Sequence, residues 1–393
     1  MMHFVRVMLL LTVFLTPLLP ATSFFGYEQI KVLFFIAGIS LASIFWLKER
    51  KKEHGSLITL AGGIFIGILA ITSITGIDPK ISFLGFPPYF QGLILYAYLF
   101  LFFILVRNSK IKSDTWVKVL VASASVISFI AIRQWMEINL LGFSLPTYAG
   151  RVVSTFGQPN FYSGFILMVL PFILVRKWWW VSLLLILGIL ISQSRISIVL
   201  MFGLLVFWFV KKIWSKRGIF NLLIIVFVLI FALFVLENVW QEISRQELIQ
   251  ASDSQWLFQN SPEKRVFIYP ITLNLIQKSP ILGYGLENIR MSFSNFFKGV
   301  NFNTNNNPVY LSLKDVVVDR SHNYVLDLLL FSGILGLLGW LGVVGLMLKK
   351  ARGVMLISLI LYLIWTAFQN QSIVHLMYFW LLAGLVDDDG MFP

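Results

Sequence analysis

Long apolar runs constrain this chain more than any other feature. A helix needs about 20 mostly apolar residues to cross a hydrocarbon core about 30 Å thick, and such runs recur from one end to the other. Twelve can be placed, at roughly 5–19, 30–47, 57–77, 90–106, 116–135, 161–175, 178–194, 196–214, 219–236, 324–347, 353–368 and 373–386. A backbone in lipid must satisfy its own polar groups, and no alternating barrel pattern is present, so the runs read as helices. The expected fold is an all-α polytopic membrane protein of about 12 transmembrane helices, one integral membrane domain over residues 1–393. Composition agrees: 12% of residues are charged, against about 25% in a soluble domain. Val5–Leu19 has no small-residue cleavage site and reads as a retained helix rather than a signal peptide.

The net charge of +13 at first suggests nucleic acid, but most of the excess lies in short loops between apolar runs, where it acts as an orientation signal. With the N-terminus inside, the inner loops carry 18 Lys/Arg and the short outer loops 5, namely Lys31, Lys80, Arg133, Arg151 and Arg195. That asymmetry sets both termini in the cytoplasm. Trp178, Trp179 and Trp180 beside Arg176 and Lys177 then read as an interfacial aromatic belt on the inner side. Asp387–Pro393 ends the chain abruptly and reads as a truncation or a tail without function.

One stretch departs from this pattern. Glu237–Asn323, between spans 9 and 10, is polar and falls on the outer face as one large extracytoplasmic loop. Within it Lys264–Ser279 has helical apolar spacing, Pro280–Gly285 is a turn, and Asn301–Pro308 is too polar and Asn-rich to pack. No internal repeat divides the chain. Cysteine is absent, which excludes disulfides and thiolate chemistry, and no metal-ligand cluster, phosphate-cradling glycine loop or nucleophile elbow is present.

Four places stand out chemically. Arg195, in SQSRIS, sits between two apolar runs with almost no loop around it. A guanidinium at that depth needs an anionic partner or a water-filled cavity; the bland alternative is an arginine snorkelling to the interface. Ser192, Gln193, Ser194 and Ser197 read as a polar pocket around it. His322, in RSHNYVLDLL, lies where the large loop enters span 10, a position that suits either a structural or a functional histidine. Arg265 opens the amphipathic part of the loop, beside Glu263 and Lys264, where a solvated charge run is the ordinary explanation. Gly157, Pro159 and Asn160 break the chain before span 6, with Asn160 as an N-cap in the plainest reading.

Taken together, GQPNFYSGFILMVLP, SQSRISIVL, KRVFIYPITLNLIQKSPILGYGLENIR and SHNYVLDLLLFSGILGLLGWLG resemble, in order and spacing, the O-antigen ligase/polymerase superfamily. That group includes bacterial protein O-oligosaccharyltransferases. The motifs cover Ser154–Gly342; the earlier spans match only in hydropathy. The resemblance implies a GT-C-like membrane glycosyltransferase without cofactor or metal. It would move a glycan from a polyprenyl-diphosphate carrier to an acceptor hydroxyl on the outer face of the cytoplasmic membrane. By the same resemblance, Arg195 and Arg265 contact the carrier diphosphate and His322 is the general base or orients the acceptor. Pro280, Gly283 and Gly285 shape the turn, with Asn160, Asn323 and Asp327 as possible support. Many members carry an acid two residues before the glycine matching Gly333; here that residue is Phe331, and Asp327 is a candidate replacement.

Elementary chemistry fits this assignment. Two fixed guanidiniums can hold the charge that builds on a diphosphate leaving group, and attack from the opposite face by an acceptor activated by one base gives inversion. A paired-carboxylate hydrolase signature is missing. The acceptor stays open between lipid A core, another lipid-linked glycan and a protein hydroxyl; GQPN is similar to the protein-modifying branch, and four residues do not decide it. Two other classes compete. A twelve-helix transporter or lipid-linked glycan flippase would show repeated halves and mid-membrane charges. A non-catalytic assembly partner would leave the Arg and His positions without a role.

Overall fold

The computed structural model describes residues 2–22, 24–48, 55–213, 265–299 and 318–387. The described chain is mostly helical. In order the helices are α1 (Met2–Leu15, continued by a 3-10 turn, Thr16–Leu18), α2 (Tyr27–Leu47), α3 (Leu57–Thr75), α4 (Pro79–Leu84), α5 (Leu93–Asn108), α6 (Ser113–Asn139) and α7 (Pro159–Arg176). They continue with α8 (Trp179–Ile191), α9 (Arg195–Ile213), α10 (Arg265–Lys278), α11 (Ile289–Lys298), α12 (Tyr324–Lys350), α13 (Gly353–Thr366) and α14 (Ile373–Asp387). The expected spans fall on helices except 219–236, which lies outside the described residues, as does Asn301–Pro308. Among the described residues, five helices (α2, α3, α6, α7 and α12) are long and apolar enough to cross a membrane, and six shorter ones are also apolar. One small departure from all-α is a two-stranded hairpin, Thr147–Tyr148 paired with Arg151–Val152. Its turn, Ala149–Gly150, has positive φ at both residues, the backbone that a two-residue hairpin requires.

Burial shows which helices sit inside. Every residue of α14 is buried, and so is nearly all of α7, so neither has an amphipathic stripe: a helix apolar all round is an interior helix. Gly164 lets α7 close on the Trp365 indole. Pro171 interrupts the hydrogen-bond ladder of α7, and the carbonyl of Met168 nearby accepts from Ser358 Oγ (2.7 Å) and Tyr378 Oη (2.9 Å). These two bonds tie α7 to α13 and α14 beside the proline. The outer helices show the reverse. On α3, Leu60, Ile64, Ile71 and Ile74 are all more than half exposed, an apolar face that suits lipid.

Hydrogen bonds and ion pairs sort the loops into two sets. At one end Arg6 Nε donates to the Ser109 carbonyl (2.8 Å), Arg176 pairs with Asp114 (2.5 Å), and Asp387 holds Arg107 and Lys350 (2.9 Å each) and Ser56. Asp387, expected to begin a tail without function, instead ties four segments: its carboxylate is fully buried, so its three partners offset its desolvation. At the other end Lys31 Nζ donates to the Thr155 carbonyl (2.6 Å), Thr155 Oγ1 to Pro17 (2.7 Å), and Gln91 Nε2 to Gln371 (2.7 Å). The large loop's turn joins this second set, as the Ile77 N–H donates to the Tyr284 carbonyl (3.0 Å).

Candidate active site

The Pro280–Gly285 turn docks into a break in a spanning helix. At Gly333, α12 leaves helical geometry (φ 59°, ψ −163°), which ends the normal pairing of Ile334 with Leu330 and of Leu335 with Phe331. The turn supplies all four missing partners. Tyr284 N–H donates to Leu330 O and Gly285 N–H to Phe331 O (2.8 Å each), while Ile334 N–H donates to Pro280 O (2.8 Å) and Leu335 N–H to Ile281 O (3.5 Å). Buried backbone groups must find partners, so turn and break satisfy each other. The approach is close enough to exclude a side chain: a Cβ at Gly283 would lie 2.6 Å from Leu330 O. Behind the turn, Tyr284 Oη donates to Leu275 O (3.0 Å) and Asn288 Nδ2 to Ser82 Oγ (2.7 Å), which anchors it to α10 and α4.

A buried guanidinium stands beside this junction. Arg320, only 3% exposed, pairs with buried Glu287 and donates to Gln91 Oε1 (3.2 Å). It lies over the Tyr89 ring (4.5 Å to the centroid) and the Phe331 ring (5.2 Å). Burial pushes the Glu287 carboxyl above its ordinary range against the pull of Arg320. Burial works to lower Arg320, but the facing acids Glu287 and Asp327 outweigh it and the guanidinium is held more firmly charged. Three non-glycine residues with positive φ surround it: Phe90 next to Tyr89 and Gln91, Glu287 itself, and His322 two residues on. Such conformations cost about 1–3 kcal/mol each and persist only where the surroundings over-determine them.

His322 is half-buried at the entry to α12, with φ 60°. Its neighbours fix that backbone. Asp327, one turn into the helix, accepts from the Ser321 N–H (2.8 Å), and Ser321 Oγ donates to Asn323 O (2.9 Å). Asn323 is the N-cap, its Oδ1 accepting from Val325 N–H (2.9 Å) and Leu326 N–H (3.2 Å). Asn323 and Asp327 therefore hold the segment that presents the imidazole.

The two arginines each open a helix. Arg195 is exposed at the first turn of α9. The serines flanking it do not form a pocket around it. Ser192, Ser194 and Ser197 are buried, and Ser197 Oγ receives bonds from Ser163 Oγ (2.9 Å), Ser194 Oγ (3.2 Å) and Trp365 Nε1 (3.2 Å). They form the seam of α9 with α7 and α13. Arg265 is the first residue of α10. Asn160 is not the N-cap: Gln158 takes that position, Pro159 is the first helical residue, and Asn160 Nδ2 donates to Gln369 Oε1 (3.1 Å).

Sequence reading missed the polar layer that joins these parts. Tyr89 meets Phe161 of α7 on one side (6.2 Å between ring centres) and Arg320 on the other, and its Oη accepts from Asn370 Nδ2 (2.6 Å). Tyr362 Oη donates to Gln371 Oε1 (2.8 Å), and the Ile373 N–H donates to Glu28 Oε2 (2.9 Å). His375, near the start of α14, is fully buried and stacked on Trp365 (4.3 Å). A signal was present for part of this: Glu287 follows the G-x-G turn by two residues, and Arg320 precedes His322 by two.

Comparison with known proteins bears on the same parts. Residues 180–341 match the family model described as O-Antigen ligase, a stretch that includes Arg195, Arg265, the docked turn, Arg320 and His322. A ComP-specific O-oligosaccharyltransferase of Acinetobacter baylyi (strain ATCC 33305 / BD413 / ADP1) is 28% identical over 298 residues, 68% of this chain and 49% of that protein. The chain thus spans about half the length of this curated relative. The chain is thus similar to O-antigen ligases over residues 180–341 and to this O-oligosaccharyltransferase over 68% of its length.

Proposed function

We propose that this protein is a membrane glycosyltransferase that moves a glycan from a polyprenyl-diphosphate carrier to an acceptor hydroxyl, on the outer face of the cytoplasmic membrane. The observation that carries the reading is the convergence at Tyr89. Motifs more than a hundred residues apart in the chain meet there, with Phe161 of α7 on one side and Arg320, two residues from His322, on the other. In this reaction the bond from the anomeric carbon to the diphosphate oxygen breaks and its electron pair leaves with the diphosphate. The acceptor oxygen bonds to the anomeric carbon from the opposite face, with inversion, and its proton passes to His322. Arg195 and Arg265 stabilise the leaving charge, which no metal is then required to do. The acceptor classes are lipid A core, another lipid-linked glycan and a protein hydroxyl, and the likeness to an O-oligosaccharyltransferase supports transfer to an oxygen.

Transfer from a labelled polyprenyl-diphosphate glycan in liposomes tests this. His322→Ala and Arg265→Ala should each abolish product, and EDTA should change nothing. Full transfer by both variants overturns the site assignment. Movement of the labelled lipid across the bilayer with no transfer product supports the flippase class instead.

A further inference from the structure

A cavity of about 310 Å³ opens beside Arg320, between the Phe86–Tyr89 loop and the Glu287–Arg290 segment. That volume is at the small end of the range for ligand sites, about 300–1,000 Å³. One wall is apolar and flat-faced, made by Phe86, Pro87 and Tyr89; the other presents Glu287, Arg290 and Asp319. Asp319 lies three residues before His322 in the chain.

We infer that this cavity binds a saccharide unit of a substrate, a ligand class that rests on the transferase reading. Charge decides against the diphosphate. Arg320 already neutralises Glu287, and the remaining charges in the lining, Arg290 and Asp319, cancel, so the space has no cationic excess to hold a diphosphate. A wholly apolar ligand would strand Asp319 and Arg290 without water. A neutral polyol suits both walls: its C–H faces lie against Phe86, Pro87 and Pro88, and its hydroxyls donate to the Asp319 carboxylate and accept from the Arg290 guanidinium. The walls are also fixed in advance. Arg320 pins Glu287 from behind and lies 4.5 Å from the Tyr89 ring centre, Asn370 holds the Tyr89 hydroxyl, and the Arg290 guanidinium lies 5.3 Å from the Phe86 ring centre. A site that is already ordered avoids the cost of ordering side chains on binding.

The sugar belongs either to the donor or to a glycan acceptor, and kinetics separates the two. In liposomes, Arg290→Ala and Asp319→Asn should raise KM for one substrate at least tenfold while kcat changes less than twofold. A rise in donor KM assigns the donor's sugar; a rise in acceptor KM assigns a glycan acceptor. Binding of polyprenyl diphosphate without sugar should stay within twofold of wild type in both variants. A second arm titrates the free oligosaccharide onto wild type and the double variant in nanodiscs. Unchanged KM values for both substrates, or equal or absent oligosaccharide binding in both proteins, overturns the subsite. Binding lost in the double variant, with no transfer by wild type from any donor, keeps the subsite and sinks the transferase reading.

Discussion

Gly333→Ala tests whether the docked turn depends on the helix break. Gly333 has φ 59° and ψ −163°, a region that essentially only glycine occupies. A methyl group there would lie 2.7 Å from Leu282 N and closer still to the Ile281 carbonyl. The variant has two ways to respond. It can keep the break, at about 1–3 kcal/mol of backbone strain plus the overlap with Ile281. Otherwise α12 closes its own ladder and expels the turn. Closing recovers two of the four exchanged bonds, so the net loss is two bonds, about 1–3 kcal/mol. The overlap tips the balance toward expulsion, and the docked population should fall roughly 5- to 150-fold, at 1.4 kcal/mol per factor of ten. Hydrogen exchange of the 280–285 segment in nanodiscs reads this directly, with the Tyr284 and Gly285 amides speeding up by that factor. Gly342→Ala is the control, since it lies on the same helix with nothing within 4 Å of its added methyl. Exchange in Gly333→Ala within twofold of wild type, or equal to that of Gly342→Ala, would refute the account.

Three further outcomes are expected. Arg320→Met strands a buried carboxylate and should lower stability by about 3–5 kcal/mol. Arg320→Met with Glu287→Met should recover most of the melting temperature but not the rate of glycan transfer, because the pair holds strained backbone rather than adding stability. Glu287 has its pKa raised by burial from 4.5, so its contribution to stability is complete below about that pH and is lost as pH rises through the raised value. In Glu287→Gln that part of the melting-temperature profile should flatten. Asp387→Ala removes the shared partner of Arg107, Lys350 and Ser56 and should lower the melting temperature in detergent, while the Tyr284 and Gly285 amides at the far end exchange as in wild type.

Some of this molecule was legible from its sequence, for an identifiable reason. Apart from the break at Gly333, a spanning helix satisfies most of its backbone within itself, so the apolar runs needed no knowledge of neighbours. The G-x-G turn was equally local, because its positive-φ glycines mark it directly. Arg195 and its serines show where that reasoning stops. Residues two apart on a helix do not face each other, so Ser197, taken as part of a pocket around Arg195, turns instead toward Ser163 and Trp365.

The buried pair was hidden for a related reason. Glu287 and Arg320 lie in the polar loop, 33 residues apart, where a charged residue is ordinarily solvated. Only packing against Tyr89, Gln91 and Phe331 takes them out of water, and two of those three come from the connector before α5. That connector read as a link between spans, yet it supplies one wall of the cavity, the ring beneath Arg320 and the contact to α7. If the cavity holds a sugar as proposed, short loops shape its specificity as much as the large one does. Pro87→Ala, which leaves every arginine and His322 in place, should then alter substrate KM; no change in KM for donor or acceptor would return the site to the large loop alone.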